Sequence, residues 1–199
     1  VSSSAVCIFN HFLASGKIKV MNIGKLKFNS ISESPDLLAD PTRKYLATLE
    51  NVSPTDIAVA EIDPLYAGGE ELCAYYDVDP SIGGNCIVVE AKRADRRWYA
   101  ACLVPTGSRI DLNGFVRKYL NARRVSLAPK DEAIRLTNME YGSINAVGLP
   151  KEWMVLIDAS LVEKPMVIMG SGLVKSKLAI PGSLLKNLPN TEVVEGLGI

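Results

Sequence analysis

Two β-prone runs, residues 85–91 (NCIVVEA) and 98–104 (WYAACLV), constrain this chain more than any other feature, and only the polar KRADRR parts them. β-Branched and aromatic side chains fit a pleated, buried surface, and a charged segment between two such runs is a turn. The pair therefore predicts an antiparallel hairpin with Lys92, Arg93, Arg96 and Arg97 at its tip. The 48% of hydrophobic residues in a chain of 199 supplies one sizeable core, and the length argues against two domains. A single domain over residues 21–199 is expected.

Upstream of the hairpin, TDIAVAEID (55–63) alternates Ile57, Val59 and Glu61 against Ala58, Ala60 and Ile62, a strand with both faces mostly covered. From Ser34, SPDLLADPTRKYLATLE carries apolar residues at helical spacing, with Pro41 breaking or restarting the helix. AGGEELCAYYDV reads as a short helix with Leu72, Tyr75 and Tyr76 on its apolar side, and residues 81–84 as a turn. Downstream, Asp111 caps LNGFVRKYL, RRVSLA returns as a strand, and PKDEAIRLT places Pro129 and two acids where a helix starts. Residues 153–162, 165–172 and 176–181 read as strands, followed by a small helix at 183–188 and an extended TEVVEG. Strands and helices mix without βαβ alternation, which predicts an α+β fold with a mixed, barrel-like sheet.

Between the PKDEAIRLT helix and the strand at 153 lies TNMEYGSINAVGL, residues 137–149. Gly142 and Gly148 allow positive φ, and Asn138 and Asn145 tolerate the left-handed region best among other residues. Such a loop either aims several backbone N–H groups at one point or is a plain connection. The GSG of Gly170, Ser171 and Gly172 lacks the glycine spacing of a nucleotide motif and reads as a turn between strands. Asp158 is either a catalytic acid or a buried side chain that bonds backbone.

The remaining composition narrows the chemistry. Lys plus Arg equals Asp plus Glu at 22 each, so an RNA partner has to be met by a local patch. Cys7, Cys73, Cys86 and Cys102 form no CxxC pair, which suits reduced thiols in a cytoplasmic protein. With His11 the only histidine, a catalytic triad or a histidine-rich metal site has no material, and neither a metal nor a cofactor is expected. Residues 1–20 fit a signal peptide poorly, contain no bilayer-length apolar span, and read as an extension outside the fold. What is left is backbone chemistry: a glycine loop whose N–H groups are able to form an oxyanion hole, beside a strand that begins with Asn85. Hydrolysis of an activated ester suits it, because one or two donors worth about 3 kcal/mol each are enough.

DPLYAGGEELCAYYDV leading into GGNCIVVEA, the ordered run from Ser108 to Pro150, the strand ending in Asp158, and MGSGLVKSKLAIPGSLL together resemble the YbaK/EbsC family of aminoacyl-tRNA deacylases. The same domain is the editing insertion of bacterial prolyl-tRNA synthetases. The resemblance implies a YbaK-like single domain with a mixed, barrel-like central sheet and flanking short helices, acting in trans on mischarged tRNA. It also allows a synthetase as a further partner. Thr137, Gly142, Ile144 and Gly148 match the family. Asn85 stands where relatives have a lysine, Ser143 where they have a second glycine, Ala146 where they have a proline, and Asn138 where glycine is usual. These readings make Asn85, Gly142, Ser143 and Gly148 the candidate catalytic set. Thr137, Tyr141, Ile144, Asn145, Ala146, Asp158, Gly170, Ser171 and Gly172 are the candidate substrate contacts. Asn85 is expected on the floor of a pocket between the two glycine segments, with Arg93, Arg96, Arg97, Arg123, Arg124, Lys175 and Lys177 gathered on the same face. The second reading is a non-catalytic module that keeps the fold to bind aminoacyl-tRNA or a protein.

Overall fold

The computed structural model describes residues 21–49 and 56–199. The extension expected over residues 1–20 lies outside them. β1 (Met21–Ile23) and β2 (Leu26–Ser30) pair as a hairpin. The segment after Ser34 makes a 3₁₀ turn at Pro35–Leu37, and the chain restarts as α1 (Asp40–Leu46) with Pro41 in its first turn, where no helical N–H is needed. β3 (Ala58–Glu61) buries Ala58, Val59 and Ala60 on both faces, as its alternation predicts. α2 (Gly69–Tyr76) corrects one expectation. Its buried stripe centres on Leu72, Cys73 and the half-buried Tyr76, which turns Tyr75 outward to stack on Tyr66 with ring centroids 3.7 Å apart.

The predicted hairpin is β4 (Gly84–Arg93) and β5 (Arg96–Pro105), paired from Gly84↔Pro105 to Arg93↔Arg96. The charged segment is therefore strand rather than loop, and only Ala94 and Asp95 turn the chain; Ala94 takes the positive φ (50°) that such a tight turn requires. Asp111 accepts from the N–H groups of Gly114 and Phe115 and starts the turn that leads into α3 (Arg117–Tyr119). Next come β6 (Arg124–Leu127), α4 (Lys130–Thr137) and β7 (Met154–Asp158). The strand expected over 153–162 stops at Asp158, whose carboxylate accepts from Ser160 N–H and begins α5 (Ala159–Val162). β8 (Val167–Gly170), β9 (Ser176–Ile180), α6 (Gly182–Leu185) and β10 (Thr191–Val194) complete the described elements.

One sheet runs β1-β2-β3-β9-β8, all antiparallel; the other runs β10-β7-β5-β4-β6, with β5–β7 and β7–β10 parallel. The fold is thus α+β with mixed strand directions and short flanking helices. The sheets join where Gly83 bridges Ile168, next to which a Cβ on Gly84 would lie 3.0 Å from Val167 and 3.2 Å from Leu103. Between them, Val59, Val167, Met169, Leu178 and Ile180 from one sheet meet Ala101, Leu103, Val155 and Ile157 from the other in a common core. The opposite face of β4–β5 is covered by the 110–122 segment through Val116, Leu120 and Ala122. None of the described helices is long and apolar enough to cross a membrane.

Candidate active site

α4 delivers the loop, and its position is set before the loop begins. Ala133 packs in a cluster with Val88, Tyr99 and Trp153, while Tyr99 Oη donates to Glu132 across 2.6 Å. That hydrogen bond, with Arg135 and Arg97 nearby, holds the Glu132 carboxyl below its usual range. At the helix end Thr137 Oγ1 donates to Ala133 O and receives Met139 N–H, and Asn138 adopts the left-handed conformation (φ 52°) that lets the chain leave the helix.

Two clamps then shape the loop. In the first, Glu140 N–H donates to Gly172 O and Gly172 N–H to Ser143 O, a backbone zipper between the loop and the 170–172 turn. Gly170 is required there, because a Cβ would stand 2.2 Å from Ser143 O. Ser143 Oγ donates to Leu173 O, and Val174 N–H to the Glu140 carboxylate. In the second clamp, buried Asn145 donates to Thr42 Oγ1 and accepts Val147 N–H, fastening the loop to α1. Between and beside these clamps the chain presents Tyr141, Gly142 and Ile144 to a cavity.

That cavity, about 300 Å³, is bounded by Asn85, Cys86, Ile87 and Val88 of β4, by Leu127 and Ala128, by Ala133, and by Tyr141, Gly142 and Ile144. Its wall is an open β-edge. Val88 O accepts Ala128 N–H, the last bond before β6 diverges, so the N–H and C=O of Cys86, two residues earlier, face the same side where no strand follows. Gly142 has φ 88° and open space where a Cβ would stand. The N–H groups of Gly142 and Ile144 have no acceptor among the described residues. Tyr141 is exposed at the mouth with the Lys130 ammonium 5.2 Å from its ring centroid. Burial pushes the Cys86 thiol far above its ordinary range, with Cys102 adding to the shift, so no thiolate is available. No carboxylate lines the cavity, and among the described residues no group of His, Cys, Asp and Glu could hold a metal. The arrangement offers hydrogen-bond donors and one amide side chain, and suits stabilisation of a developing oxyanion.

Of the candidate residues, the structure brings Asn85, Tyr141, Gly142 and Ile144 together. Asn85 is exposed, so it stands at the rim rather than on the floor, which Val88, Ala133 and Ile144 form. Ser143 is buried with its N–H given to Glu140 O. Ala146 and Gly148 line a separate cavity of about 500 Å³ with Pro41, Tyr45 and Val155. Thr137, Asn145, Gly170, Ser171 and Gly172 act as the clamps; Ser171 Oγ bonds Ser176 and receives Leu173 N–H. Asp158 takes the backbone-bonding role, holding Ser160 N–H and, from the chain's end, Gly198 N–H at 2.9 Å. Arg93, Arg96, Arg97, Arg123 and Arg124 lie at the tip of β4–β5 and the start of β6, but register divides them: Arg97 and Arg124 stand on the Tyr99–Glu132 face that carries α4, Arg93 and Arg96 on the opposite, Trp98–Asn121 face. Lys175 and Lys177 do not join them: Lys175 is exposed with its carbonyl accepting Ile62 N–H, and Lys177 is buried and donates to Ala67 O. The sequence does not point to Cys86, Ile87, Val88, Leu127, Ala128 or Ala133: pairing of β6 with β4 brings Leu127 and Ala128 beside the β4 residues, and Ala133 reaches them from α4 by packing with Val88.

A family model described as the aminoacyl-tRNA editing domain matches residues 64–188. No curated protein sequence matches the chain. Among solved structures it is similar to one described as a candidate trans-editing enzyme for prolyl-tRNA synthetase, at 18% identity and TM-score 0.65, covering 79% of this chain and 97% of that one. A structure from computational epitope grafting onto scaffold proteins gives the same values. A hypothetical protein follows at 21% identity and TM-score 0.57, over 65% of this chain and 83% of its own. At these identities the structural matches establish the fold.

Proposed function

The chain belongs to the aminoacyl-tRNA editing domain family, and from that premise we propose that it hydrolyses the ester of mischarged aminoacyl-tRNA in the cavity between β4 and the loop. One observation carries the reading: Gly142, whose N–H has no acceptor among the described residues, lines the same cavity as Asn85 and the free edge of β4. Attack of water on an ester moves negative charge onto the carbonyl oxygen. Fixed N–H donors aimed at that oxygen need no reorganisation and contribute about 3 kcal/mol each. Gly142 and Ile144 are the donors in this reading. Asn85 and the terminal ribose hydroxyl of the tRNA position the water, so neither a nucleophilic side chain nor a metal is required. Lying at the small end of ligand pockets, the cavity suits a small aminoacyl group.

The test is single-turnover hydrolysis of a panel of mischarged tRNAs by the unmodified protein and by Gly142→Val. A β-branched residue at φ 88° is strained and re-aims the N–H, so the variant is expected to lose at least about 100-fold in rate while retaining its circular dichroism. Turnover that survives the substitution removes Gly142 from the mechanism. No turnover of any substrate by the unmodified protein favours the binding module.

A further inference from the structure

The tip of the β4–β5 hairpin is built against its own stability. Register sets Arg93 directly opposite Arg96, and Lys92 opposite both Arg97 and Arg124. Like charges facing each other across a ladder repel. On one face the repulsion is partly answered: Lys92 pairs with Glu90 at 2.5 Å and Arg97 with Glu90 and Glu132 at 3.4 Å each, while Arg124 has no carboxylate partner among the described residues. On the other face it is not. Arg93, Arg96 and Arg123 have no carboxylate partner among the described residues.

Two of these arginines nevertheless have side-chain contacts. Arg93 donates to Asn121 O at 3.0 Å, and Arg96 lies over Trp98, 5.7 Å from the ring centroid. For Arg123 only the backbone is fixed, its N–H donating to Lys92 O. A chain with equal numbers of acids and bases has thus concentrated unneutralised guanidinium groups where a neutral surface would be more stable. The concentration is also connected to the cavity. β6 is an edge strand, and from Arg123 to Leu127 at the cavity mouth is four residues, roughly 13 Å at strand rise.

We propose that Arg93 and Arg96 at the β4–β5 tip, with Arg123 at the start of β6, form a phosphate-binding surface for the RNA behind the aminoacylated end. The assignment of RNA rests on the aminoacyl-tRNA reading above; the charge arrangement does not depend on it. Guanidinium groups suit phosphate through their paired N–H donors, and the opposed cations lose their mutual repulsion when an anionic backbone binds between them.

The experiment compares the unmodified protein with R93Q/R96Q/R123Q. The probe is a fluorescein-labelled RNA duplex ending in single-stranded CCA, read by anisotropy over a salt series. The triple variant is expected to bind about 10- to 100-fold more weakly at low salt, with the slope of log K against log salt reduced by about 2 to 3. Its melting temperature should be unchanged or higher, because repulsion has been removed, so lost binding is not lost folding. Equal affinity and slope in the two proteins would overturn the proposal, as would binding of phosphatidylserine vesicles with no binding of RNA. Turnover separates the two readings. If mischarged tRNA is hydrolysed with the same KM by both proteins, the surface is wrong and the deacylase stands. If nothing is hydrolysed yet only the unmodified protein binds RNA, the surface stands and the deacylase falls.

Discussion

Asn85 and Asp158 are both polar ends of apolar strands, yet they answer to different measurements. Asn85 is exposed at the cavity rim. If it positions water, Asn85→Ala should lower deacylation by about 10- to 100-fold, roughly 1.4 to 2.7 kcal/mol, and leave RNA affinity alone. Asn85→Lys, which restores the residue expected of relatives, should keep or raise the rate; single-turnover rates equal in all three proteins would remove Asn85 from the chemistry. Asp158 belongs to stability instead. Burial alone would raise its carboxyl, but hydrogen bonds from Gly198, Ser160 and Leu197 prevail and hold it below the ordinary carboxylate value. Its contribution is therefore full above about pH 4 and is lost as pH falls through the lowered folded value. Urea unfolding of Asp158→Ala should show a deficit of about 1 to 2 kcal/mol at pH 7 that shrinks on acidification below pH 4. A deficit that stays constant with pH would show that the carboxylate charge contributes nothing.

The loop is an element only together with the turn it is zipped to. Glu140 and Ser143 exchange backbone bonds with Gly172, and the 170–172 turn in turn receives Ala39 N–H at Ser171 O, so α1, the loop and the turn move as one piece. Gly170→Ala should force the zipper apart, since the added Cβ would meet backbone rather than a yielding side chain. The expected cost is about 2 kcal/mol in denaturant unfolding. Hydrogen exchange should report it first at the Gly172 amide, and unchanged protection there would mean that the loop is held by other means. Because Gly142 is carried on this zipper, the same variant is expected to lose activity without touching the cavity.

At the scale of the molecule, the two sheets have one core between them. Residues of β3, β8 and β9 pack directly on residues of β5 and β7, so the inner face of each sheet is covered by the other. Fluorescence of Trp98 and Trp153, both on the β5–β7 side, and far-ultraviolet circular dichroism are expected to follow the same urea midpoint. Two separated transitions would show that the sheets fold independently. The thiols give a second readout. Cys102 is fully buried with its pKa pushed up to about 12 by desolvation, and Cys86 is raised further. Alkylation of Cys102, mapped by peptide mass, should occur at the rate of global opening, while Cys86, half-buried on the cavity wall, should react faster.

Sequence by itself determined the elements whose signals are local. The hairpin, the Pro41 restart, the Asp111 cap and the acid-led start of α4 follow from side-chain propensity and from hydrogen bonds within a few residues, and the structure has each of them. It also marked out the loop, because positive φ at Gly142 is a property of residue type. Which loop atoms face the cavity was decided by tertiary structure alone. Ser143 and Asn145 have the same polar character as residues that contact a ligand. They are withdrawn from the cavity by Leu173, Glu140 and Thr42, partners distant in sequence or brought close by the turn. The cavity wall itself arises because β6 ends beside Val88 while β4 runs on to Gly84. Strand register sets that edge, and register depends on packing across two sheets rather than on any one segment.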